Sequence, residues 1–147
     1  RAPLLHLKVP TMDFVKFSLS GFDEFLVYAG LAIAFIYIYM IVYLWVTPYN
    51  ELKLIKDGNI AAALSLSGSV LGFTFPLAAA IFQAVHPWDM MLWAFIAACV
   101  QLLVYVAVRF TLLNVTRRIK EGQVATAIVL AAVSISAGIL NAACMTY

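Results

Sequence analysis

From Phe25 to Val46 the chain runs for 22 residues without a charged side chain. At about 1.5 Å of rise per residue, a helix of that length covers roughly 33 Å, against a hydrocarbon core of about 30 Å. The run therefore reads as a transmembrane helix. Tyr28, Tyr37, Tyr39, Tyr43 and Trp45 lie along it, and those near its ends suit the aromatic belt of a membrane interface. Tyr37 and Tyr39 fall near mid-depth, where a hydroxyl needs a partner inside a helix bundle.

Three more runs of this kind follow, at Ile60–Gln83, Met90–Val108 and Val124–Met145. Hydrophobic residues make up 65% of the 147 and charged ones 11%, with a mean hydropathy of +1.01. A soluble domain carries about 25% charged residues, so the bilayer is the solvent that suits this composition. The expected fold is an all-α integral membrane protein with four transmembrane helices. A net charge of +2 is too small to call for nucleic acid as a partner.

The chain also repeats itself. IKDGNIAAA at residues 55–63 returns as IKEGQVATA at 119–127, an offset of 64 with five of nine positions identical. Extending the offset backward pairs Thr47 with Thr111 and Asn50 with Asn114, so the repeated unit is a whole helix–turn–helix hairpin. Two helices per copy make the copies parallel, related by an axis along the membrane normal. The organisation is then a lead-in at 1–24, a first two-helix repeat at 25–84 and a second at 90–147.

The first turn, residues 47–59, is well punctuated. Thr47 can cap a short helix, Pro48 suits its first position, and Asn50 or Glu51 can bond back to the cap. Gly58 can close that helix in a left-handed conformation, and Asn59 can start the next. The charges Glu51, Lys53, Lys56 and Asp57 are expected to stay solvated. In the lead-in, Met12, Val15, Leu19 and Phe22 recur at helical spacing, which fits a short amphipathic helix on the membrane surface. The chain begins with Arg1 rather than Met, so a processed chain, a truncated one or an unusual start is expected, with Met12 a candidate natural start.

Within the spans, small and polar residues carry the information. Gly68 and Gly72 form a GxxxG pair that lets a neighbouring backbone approach, and the repeat places Ala132 and Ser136 at the matching positions. Pro76 should kink its helix and free the carbonyl one turn back, near Gly72. Gln101 lies mid-span where the first copy has Tyr37, so the two are candidates for a hydrogen bond across the pseudo-symmetry. Asn141 is expected to bond a neighbouring backbone. Arg109 ends its span and can reach the headgroups.

Lys53, Lys56, Arg109, Arg117, Arg118 and Lys120 gather at the two repeat turns, whereas Asp13, Asp23, Glu24 and Asp89 accompany the fewer cations at the other face. The positive-inside rule then puts both turns in the cytoplasm and both termini outside.

Several stretches resemble the YjfL-like bacterial inner-membrane proteins. These are TPYNELKLIKDGN with AAALSLSGSVLGFTFPLAAAI, QLLVYVAVR in the third helix, and GILNAACMTY at the end. The resemblance covers residues 25–147 and implies a small multi-pass protein of the bacterial cytoplasmic membrane. It is a family of unknown function, so it brings no catalytic or binding residues with it.

Chemistry is sparse. No Asp, Glu, Lys, Arg or His lies in the middle of a span, where pumps and ion-coupled transporters ordinarily hold an ionisable group. His86 and Asp89 in the HPWD turn are too few for a metal site, and Cys99 and Cys144 suggest neither a disulfide nor zinc. No nucleophile–base pair or phosphate loop appears. No catalytic, cofactor or metal site is therefore expected. The expected role is a non-catalytic scaffold or accessory subunit that binds a membrane partner or its own copies through small-residue faces. The alternative is an oligomeric pore or small-solute transporter lined by Ser65, Ser69, Thr74, Gln101, Ser134 and Asn141. Anionic lipid recognition by the basic turns is a further, weaker expectation.

Overall fold

The computed structural model describes residues 11–145, and every regular element among them is helical. The order is α1 (Thr11–Leu19), α2 (Phe22–Val46), α3 (Glu51–Lys56), α4 (Ile60–Gln83), α5 (Pro87–Thr111), α6 (Val115–Lys120) and α7 (Val124–Cys144). Four of them, α2, α4, α5 and α7, are long and apolar enough to cross a membrane. The bounds of α4 fall where the hydropathy puts them. Helix α2 begins three residues earlier than its uncharged run, because Asp23 and Glu24 sit in its first turn, where the helix dipole favours carboxylates. Helix α5 also starts early. His86 is its N-cap, accepting from the Trp88 amide at 3.3 Å through Nδ1, and Pro87 takes the first position, where its missing N–H costs nothing.

The turns obey local chemistry with two departures. Gly58 and Gly122 end α3 and α6 with φ of +86° and +76°. A side chain would be strained there. Asn59 caps α4 through Oδ1, which accepts from the Ala62 amide at 3.0 Å. Its Nδ2 also donates to the Ile119 carbonyl at 2.9 Å, tying the α3–α4 turn to the α6–α7 turn. Thr47, expected to open α3, instead closes α2: its hydroxyl donates to the Tyr43 carbonyl at 2.8 Å, and Asn50 takes the capping role by accepting from the Lys53 amide. Gln123 stands at the N-cap of α7 without a side-chain cap bond and turns toward Glu121.

Helix α4 is the centre of the bundle. Its most extensive pairing is with α7, α5 lies against both, and α2 touches α4 and α5 more lightly. The reason is in its composition. Most of its buried residues are small, among them Ala61, Ser65, Gly68, Ser69, Gly72 and Ala80, and let neighbours come close, with Phe73 and Leu77 the bulky exceptions. At Gly68 an added Cβ would strike Ala131 of α7. At Gly72 it would strike Gln101 and the Ser134 backbone, and at Gly138 it would strike the Gly72 carbonyl. Pro76 has no N–H to offer that carbonyl, which lies instead against the bare Cα of Gly138. The α4–α7 seam is thus backbone on backbone.

Candidate functional site

Tyrosines fill the gap between α2 and the rest. Tyr39 and Tyr43 are its only fully buried residues, one helical turn apart on the same face. Tyr39 stacks on Phe73 with ring centres 4.4 Å apart and shares a 2.6 Å hydrogen bond with Ser69. Tyr43 shares a 3.0 Å hydrogen bond with Ser65 and meets the Tyr105 ring edge-on at 5.0 Å. These bonds keep two hydroxyls satisfied inside an apolar bundle, as burial of a polar group requires.

Where α2 ends, the chain bends back and brings Tyr49 and Glu51 onto this same cluster. Glu51 is only 1% exposed, and neither carboxylate oxygen is in hydrogen-bonding geometry with a partner among the described residues; the Tyr49 hydroxyl is likewise buried and unpartnered. Burial lifts the Glu51 pKa from 4.5 to about 8, and the nearby Tyr43 hydroxyl offsets this only in part. Burial and the adjacent Glu51 also push Tyr49 upward, with Arg109 acting weakly against them. The Lys120 ammonium lies 5.9 Å from the centre of the Tyr49 ring. This corrects the expectation that Glu51 stays solvated with its neighbours in the turn. Lys53, Lys56 and Asp57 are exposed; Glu51 is not.

A signal for this was present. The 64-residue offset pairs Glu51 with Val115, which is 4% exposed, and Ile55 with the fully buried Ile119. Val115 is buried at its position, and the offset places a carboxylate, Glu51, at the equivalent one.

The other residues singled out in the sequence fall as follows. Gly68, Gly72 and Pro76 are buried on α4, but Ala132 and Ser136 are exposed. Ala131, Ser134 and Gly138 meet α4 in their place. Helices α4 and α7 bury different positions at the 64-residue offset because α4 has three neighbouring spans, whereas α7 packs chiefly on α4. Gln101 is buried at mid-span, but it bonds the Ser134 carbonyl at 2.9 Å through Nε2 rather than Tyr37. Tyr37 is 62% exposed, on the far side of α2 from Tyr39. Asn141 finds no backbone partner for its buried Nδ2 among the described residues. Thr74 bonds back within its own helix, to the Val70 carbonyl. Both thiols, Cys99 and Cys144, are free and exposed.

Four long apolar helices, joined by short capped turns and packed through small residues, define a multi-pass, all-α membrane protein. The chain belongs to the family described as Domain of Unknown Function (DUF350), whose model matches residues 17–145. It is 37% identical over 129 residues to the UPF0719 inner membrane protein YjfL of Escherichia coli (strain K12), an alignment covering 88% of this chain and 98% of that relative. The protein of the same name in Escherichia coli O157:H7 matches to the same extent. The family match begins inside α1, further toward the N terminus than the resemblance from residue 25 onward suggests. No solved structure matches the chain.

Proposed function

We propose that this chain is a non-catalytic component of the bacterial inner membrane that associates with a further transmembrane helix through the outer face of α2. The inner-membrane placement is supported by its likeness to an inner membrane protein, YjfL. The orientation that best suits the charges puts α3 and α6, with Lys53, Lys56, Arg117, Arg118 and Lys120, in the cytoplasm and both termini outside.

The observation that carries the association is Tyr37. Its hydroxyl sits near mid-depth of α2 on the outward face, 62% exposed, where lipid offers no hydrogen-bond partner. The same face carries Gly30 with nothing within 4 Å of an added Cβ, and exposed Ala34, Ile41 and Trp45 at helical spacing around Tyr37. A second helix seated there, from another copy or another membrane protein, would give the hydroxyl a partner and use the small residues for close approach. Tyr37→Phe, which removes only the hydroxyl, is expected to weaken recovery of the associated protein when the chain is affinity-purified from native membranes in mild detergent. Equal recovery with Tyr37→Phe and with the wild type would count against this face.

The second reading, an ion-coupled pore or transporter, is favoured by one observation. Glu51 supplies a buried carboxylate, a kind of group that the middles of the spans lack. In proteoliposomes that reading requires a proton-linked flux abolished by Glu51→Gln.

A further inference from the structure

On the exposed side of the bundle, α5 and α7 leave a groove between them. Its deeper part, about 360 Å³, is lined by Val104, Ala107, Val108, Val129 and Val133, with Thr111 near its end. The Thr111 hydroxyl is turned away onto the Ala107 carbonyl, so this part offers almost nothing polar. Leu112 and Val129 line it and also a second hollow of about 260 Å³, which adds Thr126 and Arg118. The two adjoin at Leu112 and Val129, the one apolar and the other carrying Thr126 and Arg118.

We propose that this groove binds one anionic phospholipid, with an acyl chain along the valines and the phosphate against Arg118. Depth supports the assignment. The apolar part lies between two membrane spans, and Arg118 sits on α6, beyond the end of α5 at Thr111, where headgroups lie. Charge supports it as well. Arg117 pairs with Glu121 at 3.3 Å, whereas Arg118 has no ion pair among the described residues and no carboxylate lines its hollow. Arg109 and Lys120 add to the positive field at the same end. An anionic phosphate in a basic recess between helices is matched in sign, and a guanidinium can hold it through two oxygens. The proposal is independent of the α2 association.

The test uses the purified full chain in mild detergent. Retained lipid is read by native mass spectrometry, and the denaturation midpoint is read with added phosphatidylglycerol, phosphatidylcholine or glycerol 1-phosphate. Phosphatidylglycerol is expected to be retained and to raise the midpoint, phosphatidylcholine to do so less, and the chainless phosphate not at all. Arg118→Gln should weaken phosphatidylglycerol retention about fivefold, the loss of one basic contact near the headgroups. Arg117→Gln, outside the groove, should not. Ala107→Trp, at an exposed position that fills the groove, should expel the lipid while Arg118 stays in place. Equal losses for Arg117→Gln and Arg118→Gln would show diffuse charge attraction and overturn the site. So would equal stabilisation by glycerol 1-phosphate, equal retention of the two lipids, or an Ala107→Trp variant that keeps its lipid or loses a co-purifying protein instead.

Discussion

Glu51 shows how far a single residue can depart from its local context. In the sequence it stands among Asn50, Lys53, Lys56 and Asp57, a solvated neighbourhood by composition. Its burial is set by the bend at Thr47 and Pro48, which lays α3 against α4 and turns position 51 toward Tyr43, Tyr49 and Tyr105. No local spacing encodes that; only the pairing with Val115 does. The consequence is a pH dependence with a definite sign. The folded-state pKa is raised from 4.5 to about 8, so the folded protein holds a proton that the unfolded chain releases. This contribution to stability is whole below about pH 4.5 and is lost as pH rises through about 8. Glu51→Gln keeps the shape and removes the titration. Between about pH 5 and about pH 8.5 the wild type should lose about 2–4 kcal/mol relative to the variant, read from denaturation midpoints in detergent. Parallel curves for the two would show that Glu51 does not titrate in this interval.

At the scale of elements, the hydrophobic runs made the four spans legible, and the turn residues Gly58 and Asn59 made their junctions so. The bounds of α4 and the left-handed Gly58 follow from chemistry confined to a few neighbouring residues. The packing faces did not follow. The repeat implied that α4 and α7 use equivalent positions, yet Ala132 and Ser136 point outward, because a central helix and a peripheral one bury different sectors of the same pattern. The contact of Gly138 with the Gly72 carbonyl, left without a donor by Pro76, arises only from three-dimensional register. Gly138→Ala forces a methyl group into that carbonyl. It should cost about 1–3 kcal/mol, as overpacking does, and separate α7 from α4. Gly30→Ala, with open space around it, should stay within about 0.5 kcal/mol of the wild type. Equal midpoints for Gly138→Ala and the wild type would mean that the seam is looser than its geometry requires.

Over the whole molecule, three spans form a close-packed unit and the fourth, α2, is fully buried only at Tyr39 and Tyr43, with Tyr28, Leu31, Phe35 and Ile36 packed more loosely against the core. Helix α2 is fixed to α4 and α5 through Tyr39 and Tyr43, while Phe22, Phe25, Leu26 and Val27 toward its start are all exposed. Composition assigned the bilayer as solvent, but which apolar face meets lipid and which meets protein is not written in hydropathy, since both are equally apolar. On α2 the exposed Tyr37 hydroxyl is the observation behind the proposed protein-facing side. The most direct measurement of the proposed association is therefore photo-crosslinking in native membranes, with a benzophenone side chain at position 37 and, as a lipid-facing reference, at Leu103, which is 67% exposed on α5. Position 37 is expected to give a discrete protein adduct, either a second copy or another membrane protein, and position 103 none. Lipid adducts alone at position 37, indistinguishable from those at 103, would contradict the account.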